Sequence, residues 1–316
     1  MSGALWLVLG AGMLIAGAEL FAENVTSAAR RVGLTALALG VLLAGAEPEE
    51  ALTAGIASGR GHPQLAVGDA IGANFVILTL ALGLAAMFTA LPMSRRVAEY
   101  AGGAALAGLA AVAALADGRV GRVEGVLLAA GYVLAVAWVW RRERRPPPVG
   151  EAVEDVAGDA EPGGDADTTP SPLALLLVLA GVGLMVGGGW LAVTGAEQVV
   201  AAFGVDDTGI GLTLLALATS AEMLALVLAA ARHRVAEVAL AGLAGAVFYN
   251  ATVSLGVGAL VAPLRGVGGT RFLVVAAACA LLPLALPALG RSRRAARWVG
   301  AALVGAYLVA VPVLLA

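Results

Sequence analysis

Two stretches of this chain place carboxylates among residues that are otherwise almost wholly apolar. One is Ala44-Gly-Ala-Glu-Pro-Glu49, extended by Glu50; the other is Leu217-Ala-Thr-Ser-Ala-Glu222. A charged side chain inside a bilayer costs several kcal/mol, so a glutamate there is read first as functional. Snorkelling to an interface reaches only a few Å, and no arginine lies nearby in the apolar stretches to neutralise these acids. Two carboxylates facing one cavity make a site for a hard cation. The neighbours Gly45, Ala46, Pro48, Ala218, Thr219 and Ser220 are small or helix-disrupting, and broken helices that free backbone carbonyls are tolerated where they line a cavity.

The run Glu47-Pro-Glu-Glu50 offers three acids within about one helical turn. At ~100° per residue Glu47 and Glu50 share a face and Glu49 points elsewhere, but a break at Pro48 removes that rule, and the first-half ligand stays open among the three. Asn250 adds a neutral amide oxygen able to coordinate a cation. Glu19, Glu23, Asn24 and Glu197 fall near the ends of apolar stretches and read as interfacial. His62 and His233 sit beside arginines and read as solvated, without a second histidine or cysteine at metal-ligand spacing. The single cysteine, Cys279, excludes an intramolecular disulfide and reads as a packing residue. Walker A and serine-elbow motifs are absent.

These acids need a scaffold, and the composition names it. Of 316 residues 60% are hydrophobic and 13% charged, with a mean hydropathy of +0.94, which lies outside the soluble range. Apolar stretches of about 18 to 25 residues suffice to cross a ~30 Å hydrocarbon core, and they must be helical because lipid satisfies no backbone hydrogen bonds. In order they span 3–26, 33–57, 63–91, 98–116, 122–140, 172–201, 208–231, 235–262, 271–289 and 296–315, giving an all-α polytopic membrane protein of about ten transmembrane helices. The basic residues are all arginine and divide unevenly between alternate loops, fourteen of the 19 on one side. The positive-inside rule places that side in the cytoplasm and both termini outside. The arginine clusters serve orientation, so nucleic-acid binding is not expected.

The long polar interval 141–171 holds a basic cluster, Pro146-Pro-Pro148 and an acidic tract; it reads as a cytoplasmic linker between halves 1–140 and 172–316. The halves repeat. Glu49 aligns with Glu222, Gly72 with Gly245 and Gly83 with Gly256, all at one offset of 173 positions. Five spans per half is an odd number, so the second half enters the membrane inverted. Glu49 and Glu222 then come together near the pseudo-two-fold axis, midway along their spans.

The chain resembles the cation/calcium antiporter superfamily, best known for sodium/calcium exchangers. The resemblance rests on Gly209-Ile-Gly-Leu-Thr-Leu-Leu-Ala-Leu-Ala-Thr-Ser-Ala-Glu222 after Phe203-Gly204, in a second alpha repeat of about 204–262. It also rests on Gly45-Ala-Glu-Pro-Glu49 and Gly68-Asp-Ala-Ile-Gly-Ala-Asn74, in a first alpha repeat of about 33–91. It implies that Glu49, Glu222, Thr219, Ser220 and Asn250 bind Ca2+ and Na+. The chain departs from the family pattern at Gly45 and Ala46, where hydroxyls are usual, and at Ile77, where an amide or carboxylate is usual. Ala73 and Ala246 stand for serines, and the second repeat is one residue shorter between Ser220 and Glu222. The spacing Gly45 to Glu49 also fits the proton/calcium branch.

The expected activity is therefore secondary antiport in the inner or plasma membrane, Na+ against Ca2+, with H+ as the alternative coupling ion. The expected ligand set is Glu49, Glu222, Asn250, Thr219, Ser220, Glu47 and Glu50. The partners are inorganic cations and the lipid bilayer, no organic cofactor is expected, and the oligomeric state is left open. An intramembrane enzyme would need a nucleophile or metal set beyond these glutamates. A transport-inactive scaffold is the other alternative that the eroded first repeat allows.

Overall fold

A computed structural model describes residues 2–31, 47–88, 95–143, 173–224, 236–289 and 293–316. The 141–171 linker beyond residue 143, together with Gly45, Ala46 and His233, lies outside the described residues.

The first half begins with α1 (Ser2–Arg31) and α2 (Pro48–Gly59). Next, α3 (Pro63–Phe75) runs through a π-helical segment, Val76–Ala81, into α4 (Leu82–Phe88). The half closes with α5 (Arg95–Leu115), a short strand β1 (Arg119–Val120) and α6 (Arg122–Glu143). The second half opens with α7 (Ala174–Phe203). Then come α8 (Asp207–Ile210), a π segment Gly211–Leu215 and α9 (Ala216–Thr219). After α10 (Ala236–Tyr249) a third π segment, Asn250–Ser254, leads into α11 (Leu255–Val261). Strand β2 (Leu264–Arg265), α12 (Thr270–Leu289) and α13 (Arg293–Leu315) complete it.

Described helices overlap the ten expected spans, although most of 33–57 and the end of 208–231 lie outside the described residues. Seven are long and apolar enough to cross a bilayer, and Asp207–Thr219 and Thr270–Leu284 are shorter apolar helices. Large apolar side chains such as Leu5, Leu106, Leu127, Leu134, Leu176 and Val309 are exposed, as lipid-facing surfaces require.

The repeat is visible in the backbone. A shift of 173 residues carries α4 onto the bounds of α11, and α3 and its π segment onto α10 and the third π segment to within a residue. The side-chain amide of Asn74 donates to the carbonyl of Val247 at 3.1 Å, and these two residues are 173 apart. Repeat-mates that touch must straddle the pseudo-two-fold axis, so this bond marks its position.

A π turn leaves carbonyls poorly satisfied, and in lipid they need internal donors. A threonine in each segment supplies one by bonding back four residues: Thr79 to Phe75, Thr213 to Gly209 and Thr252 to Phe248. Thr79 and Thr252 are themselves repeat-mates.

Glycine sets how closely the helices approach, because in lipid packing and not hydrophobicity drives association. On α1, Gly3, Gly10 and Gly17 recur every seven residues, as do Gly181, Gly188 and Gly195 on α7. They face one another in antiparallel register. A Cβ on Gly10 would lie 2.7 Å from the Gly188 carbonyl oxygen, and one on Gly195 would lie 2.7 Å from that of Gly3. The central seam joins α3 to the π segment 211–215, where a Cβ on Gly68 would meet Gly211 Cα at 2.7 Å. On one side of the bundle β1 pairs antiparallel with β2, Arg119 opposite Arg265, and ties the α5–α6 loop to the α11–α12 loop. Gly118 and Gly266 flank these strands at φ of 77° and 71°, a region that favours glycine.

Candidate cation-binding site

The acids of the first half sit at a helix break. Glu47 is non-helical, with φ −102° and ψ 75°, and Pro48 begins α2. Proline suits the first helical position because its missing N–H has no intrahelical partner there. Glu49 and Glu50 therefore occupy the first turn of α2, where the free N–H ends of the helix favour negative charge. The repeat-mate of Glu47 is Ser220, where the helix also stops, with φ −81° and ψ 9° after α9.

These breaks face each other across the interface between the halves. Ser220 Oγ donates to Glu50 Oε1 at 3.0 Å, and Asn250 Nδ2 donates to Glu47 Oε2 at 2.8 Å. Asn250 Oδ1 in turn accepts from Ser254 Oγ at 3.0 Å. Thr219 Oγ1 lies 2.9 Å from Asp69 Oδ1. All four acids, Glu47, Glu49, Glu50 and Asp69, are buried, with Asp69 wholly excluded from solvent. Glu222 is half-buried and close enough to Glu47 for the two charges to repel; Glu49 lies near Glu50 and Tyr249.

The arginine–carboxylate pairs among the described residues, Arg60–Glu197, Arg95–Glu99, Arg142–Glu99 and Arg271–Asp206, lie in loops and at helix ends and involve neither Glu47, Glu50 nor Asp69. Among the described residues no three acidic, histidine or cysteine side chains converge as a ready metal cage. The oxygens that do converge are carboxylates from the first half and hydroxyls from the second, while Asn250 presents its amide N–H to Glu47. Hard cations accept such all-oxygen sets.

A cavity of about 450 Å³ lies elsewhere, between α5, α6 and α10. It is lined mainly by apolar residues such as Leu106, Leu128 and Phe248, with Glu99 and Arg142 at one end. Tyr132 on its wall stacks edge-on against Tyr249 at 5.3 Å. The acids thus sit in packed protein, one aromatic layer away from this cavity.

A family model of the sodium/calcium exchanger protein matches residues 2–141 and 173–316. The chain belongs to the sodium/calcium exchanger family. Curated relatives of the family span nearly its whole length. CaxA of Alkalimonas amylolytica, whose name proposes an antiporter, is 27% identical over 96% of both chains. An uncharacterized membrane protein of Methanocaldococcus jannaschii, MJ0091, is 25% identical over 98% of this chain and 94% of its own. Among solved structures, the sodium-calcium exchanger NCX_Mj soaked with 10 mM Na+ and 10 mM Sr2+ superposes with a TM-score of 0.63. It is 23% identical and covers 98% of each chain, a likeness that bears on the fold.

The residues that the exchanger-family pattern singles out are thus found in distinct settings. Thr219, Ser220 and Asn250 each donate to a first-half carboxylate, and those carboxylates are Asp69, Glu50 and Glu47. Ile77, the mate of Asn250, is fully buried among apolar residues, and so are Ala73 and Ala246. Asp69 was missed by the sequence reading, which treats it as a spacer in the packing motif Gly68-Asp-Ala-Ile-Gly72. The signal was available, since an acid midway along an apolar span warrants the same reading as Glu49.

The peripheral acids and His62 are interfacial but not merely solvated. Glu197 on α7 pairs with Arg60 at 2.6 Å and His62 Nε2 at 3.2 Å, while His62 Nδ1 lies 2.8 Å from Asp207. This cluster ties the α2–α3 turn to the end of α7 and the start of α8. Asn24 instead bonds its own helix, donating to the Leu20 carbonyl at 2.9 Å.

Proposed function

We propose that the chain is a secondary antiporter that exchanges Ca2+ for Na+, or for H+, by alternating access. In this reading the ions are held between the first-half acids Glu47, Glu49 and Glu50 and the second-half groups Thr219, Ser220, Glu222 and Asn250. One observation carries it: the buried carboxylates Glu50 and Glu47 meet the Ser220 hydroxyl and the Asn250 amide from the inverted half at two facing helix breaks. A membrane protein keeps such charge at mid-depth where a cation crosses. Family membership supports ion exchange as the activity.

In an inverted repeat the helices broken at Glu47 and at Ser220 run in opposite directions, which suits a site opened to each side of the membrane in turn. The α1–α7 pair, locked together by its glycines, is the element that moves as a unit against the rest. Basic loops place the 141–171 linker in the cytoplasm and both termini outside, with residues 1–140 and 172–316 as the two repeat halves.

The test is uptake of radiolabelled Ca2+ into proteoliposomes with an outward Na+ gradient in one set and an outward H+ gradient in another. Uptake driven by one gradient and lost in Glu222→Gln establishes exchange and names the coupling ion. No uptake from either gradient, with protein shown folded and inserted, rejects Ca2+ exchange.

A further inference from the structure

The acid that no sequence pattern singled out belongs to a buried oxygen cluster. Asp69 lies midway along the first-half core helix α3, fully buried, and Glu50 is buried to 1% exposure. Their carboxyl groups are within hydrogen-bonding reach of each other. Each has one oxygen occupied by a second-half hydroxyl: Thr219 Oγ1 at 2.9 Å from Asp69 Oδ1, and Ser220 Oγ at 3.0 Å from Glu50 Oε1. The other two oxygens, Asp69 Oδ2 and Glu50 Oε2, are buried and meet no hydrogen-bond donor.

Buried polar atoms are nearly always paired, and a carboxylate oxygen left bare is expensive, so two of them on acids held by the consecutive residues Thr219 and Ser220 call for a positively charged occupant. The chain has no lysine, and among the described residues the arginine pairs lie at helix ends and in loops and do not include Asp69 or Glu50. Two carboxylates balance a charge of two, and their oxygens with the adjacent hydroxyls form an all-oxygen set of the kind Ca2+ accepts. The neighbouring Glu47–Asn250 pair differs: the Asn250 amide points its N–H group at Glu47 and gives its oxygen to Ser254, which leaves no bare oxygen on the amide.

We infer that Asp69 is a cation ligand of this protein, and that the seat of the divalent ion is the position between Glu50 and Asp69, flanked by Thr219 and Ser220. This assignment rests on the transport reading above for its biological role, but its binding chemistry stands apart from transport. It places the divalent ion on the α2–α3 side of the interface. The first-half carboxylate supplied by α3 also does what Ile77, one turn past the axis residue Asn74, cannot.

The experiment is Ca2+ titration of the purified full chain in detergent, read by isothermal calorimetry and by the Ca2+-dependent rise in melting temperature, since a ligand bound only to the folded state stabilises it. Asp69→Asn keeps the shape and an acceptor for Thr219 but halves the charge of the pair. It should weaken Ca2+ binding about 100-fold while the melting temperature without Ca2+ stays within a few degrees of the unsubstituted protein. Thr219→Val should weaken binding less, by about tenfold, and provides a second readout if Asp69→Asn folds poorly. Glu99→Gln, in the peripheral ion pairs, should leave binding unchanged. An affinity in both Asp69→Asn and Thr219→Val equal to that of the unsubstituted protein overturns the assignment and leaves only a shared proton between the two carboxyls. Absence of Ca2+ binding by the unsubstituted protein overturns it as well. Ca2+ bound with the expected losses but not carried into vesicles upholds the site and removes the transport reading alone.

Discussion

The two halves have one backbone and two chemistries. The helices α3 and α4, the π segment between them and its back-bonding Thr79 correspond through the 173-residue offset to α10, α11, their π segment and Thr252, yet the first half brings Glu47, Glu49, Glu50 and Asp69 to the interface while the second brings Thr219, Ser220, Asn250 and Ser254, with Glu222 as its acid. At the site the side-chain bonds from donor to acid join one half to the other, while the Ser254–Asn250 link stays within the second. In sequence the first repeat looks eroded, with Gly45, Ala46, Ala73 and Ile77 where polar ligands are usual. In three dimensions the hydroxyls missing from one half are met by those of its mate, so a repeat can lose donors if its partner's donors cross the axis.

The largest effect expected concerns the seam that makes this crossing possible. A Cβ on Gly72 would lie 2.7 Å from the Leu212 carbonyl oxygen and the Ala216 Cβ, both on the opposing half. Gly72→Leu has no small adjustment available, because the obstacle includes backbone, and overpacking of about 3 kcal/mol or more is expected. The protein should fail to yield a monodisperse peak in size-exclusion chromatography. Gly131→Leu is the matched control, since nothing lies within 4 Å of the Cβ it would introduce. Equal behaviour of the two variants would mean that the halves do not meet closely along this seam.

Next in size is the ranking of the first-half acids, which the sequence left open. Glu50 crosses to Ser220 and abuts Asp69. Glu50→Gln removes a buried charge from that cluster and should lower Ca2+ uptake about 100-fold, the order of ~3 kcal/mol expected when a buried charged pair loses a member. Glu49→Gln, in the same helical turn, should cost less than about tenfold. Uptake rates measured side by side in proteoliposomes settle the order, and a reversed ranking would restore Glu49 as the first-half ligand implied by the alignment with Glu222.

The same contrast shows what was legible in the sequence. Hydropathy marked the apolar stretches, of which seven appear among the described residues as helices long enough to cross a bilayer and two more as shorter apolar helices, because a lipid-crossing helix must be apolar along its length, and the offset between Gly72 and Gly245 carried the inverted repeat across the linker. The π segments left no such trace: Val76–Ala81 is as apolar as any helix around it, and the register change is enforced by packing. The break at Pro48 was legible from proline alone, whereas its mate at Ser220 carries no comparable signal. Glu47 and Glu50 were named, but their partners could not be, since Asn250 lies 203 positions from Glu47 and Ser220 lies 170 from Glu50. Asp69 was hidden by its glycine neighbours, which gave the motif a sufficient packing explanation. His62 was read as solvated, but it is part-buried between two carboxylates that come from α7 and α8, well over a hundred residues away.

The smallest expected effect separates seam from site. Ser58 on α2 donates to two carbonyls of the opposite half, Gly258 at 2.7 Å and Ala262 at 3.0 Å, so like Ser220 it is a buried serine bridging the halves. Its acceptors are backbone oxygens at the end of α11, not an acid, and no carboxylate depends on it. Ser58→Ala should therefore cost about 1 kcal/mol of stability, the net worth of a neutral hydrogen bond, seen as a melting temperature lower by a few degrees. Ca2+ uptake per folded molecule should be unchanged. Ser220→Ala removes a donor of the same type but leaves Glu50 without it, so uptake should fall while stability changes little more than in Ser58→Ala. If the two serines proved equivalent in transport, the polar contacts between the halves would be structural throughout, and the division between an acid-bearing half and a donor-bearing half would have no bearing on the ion.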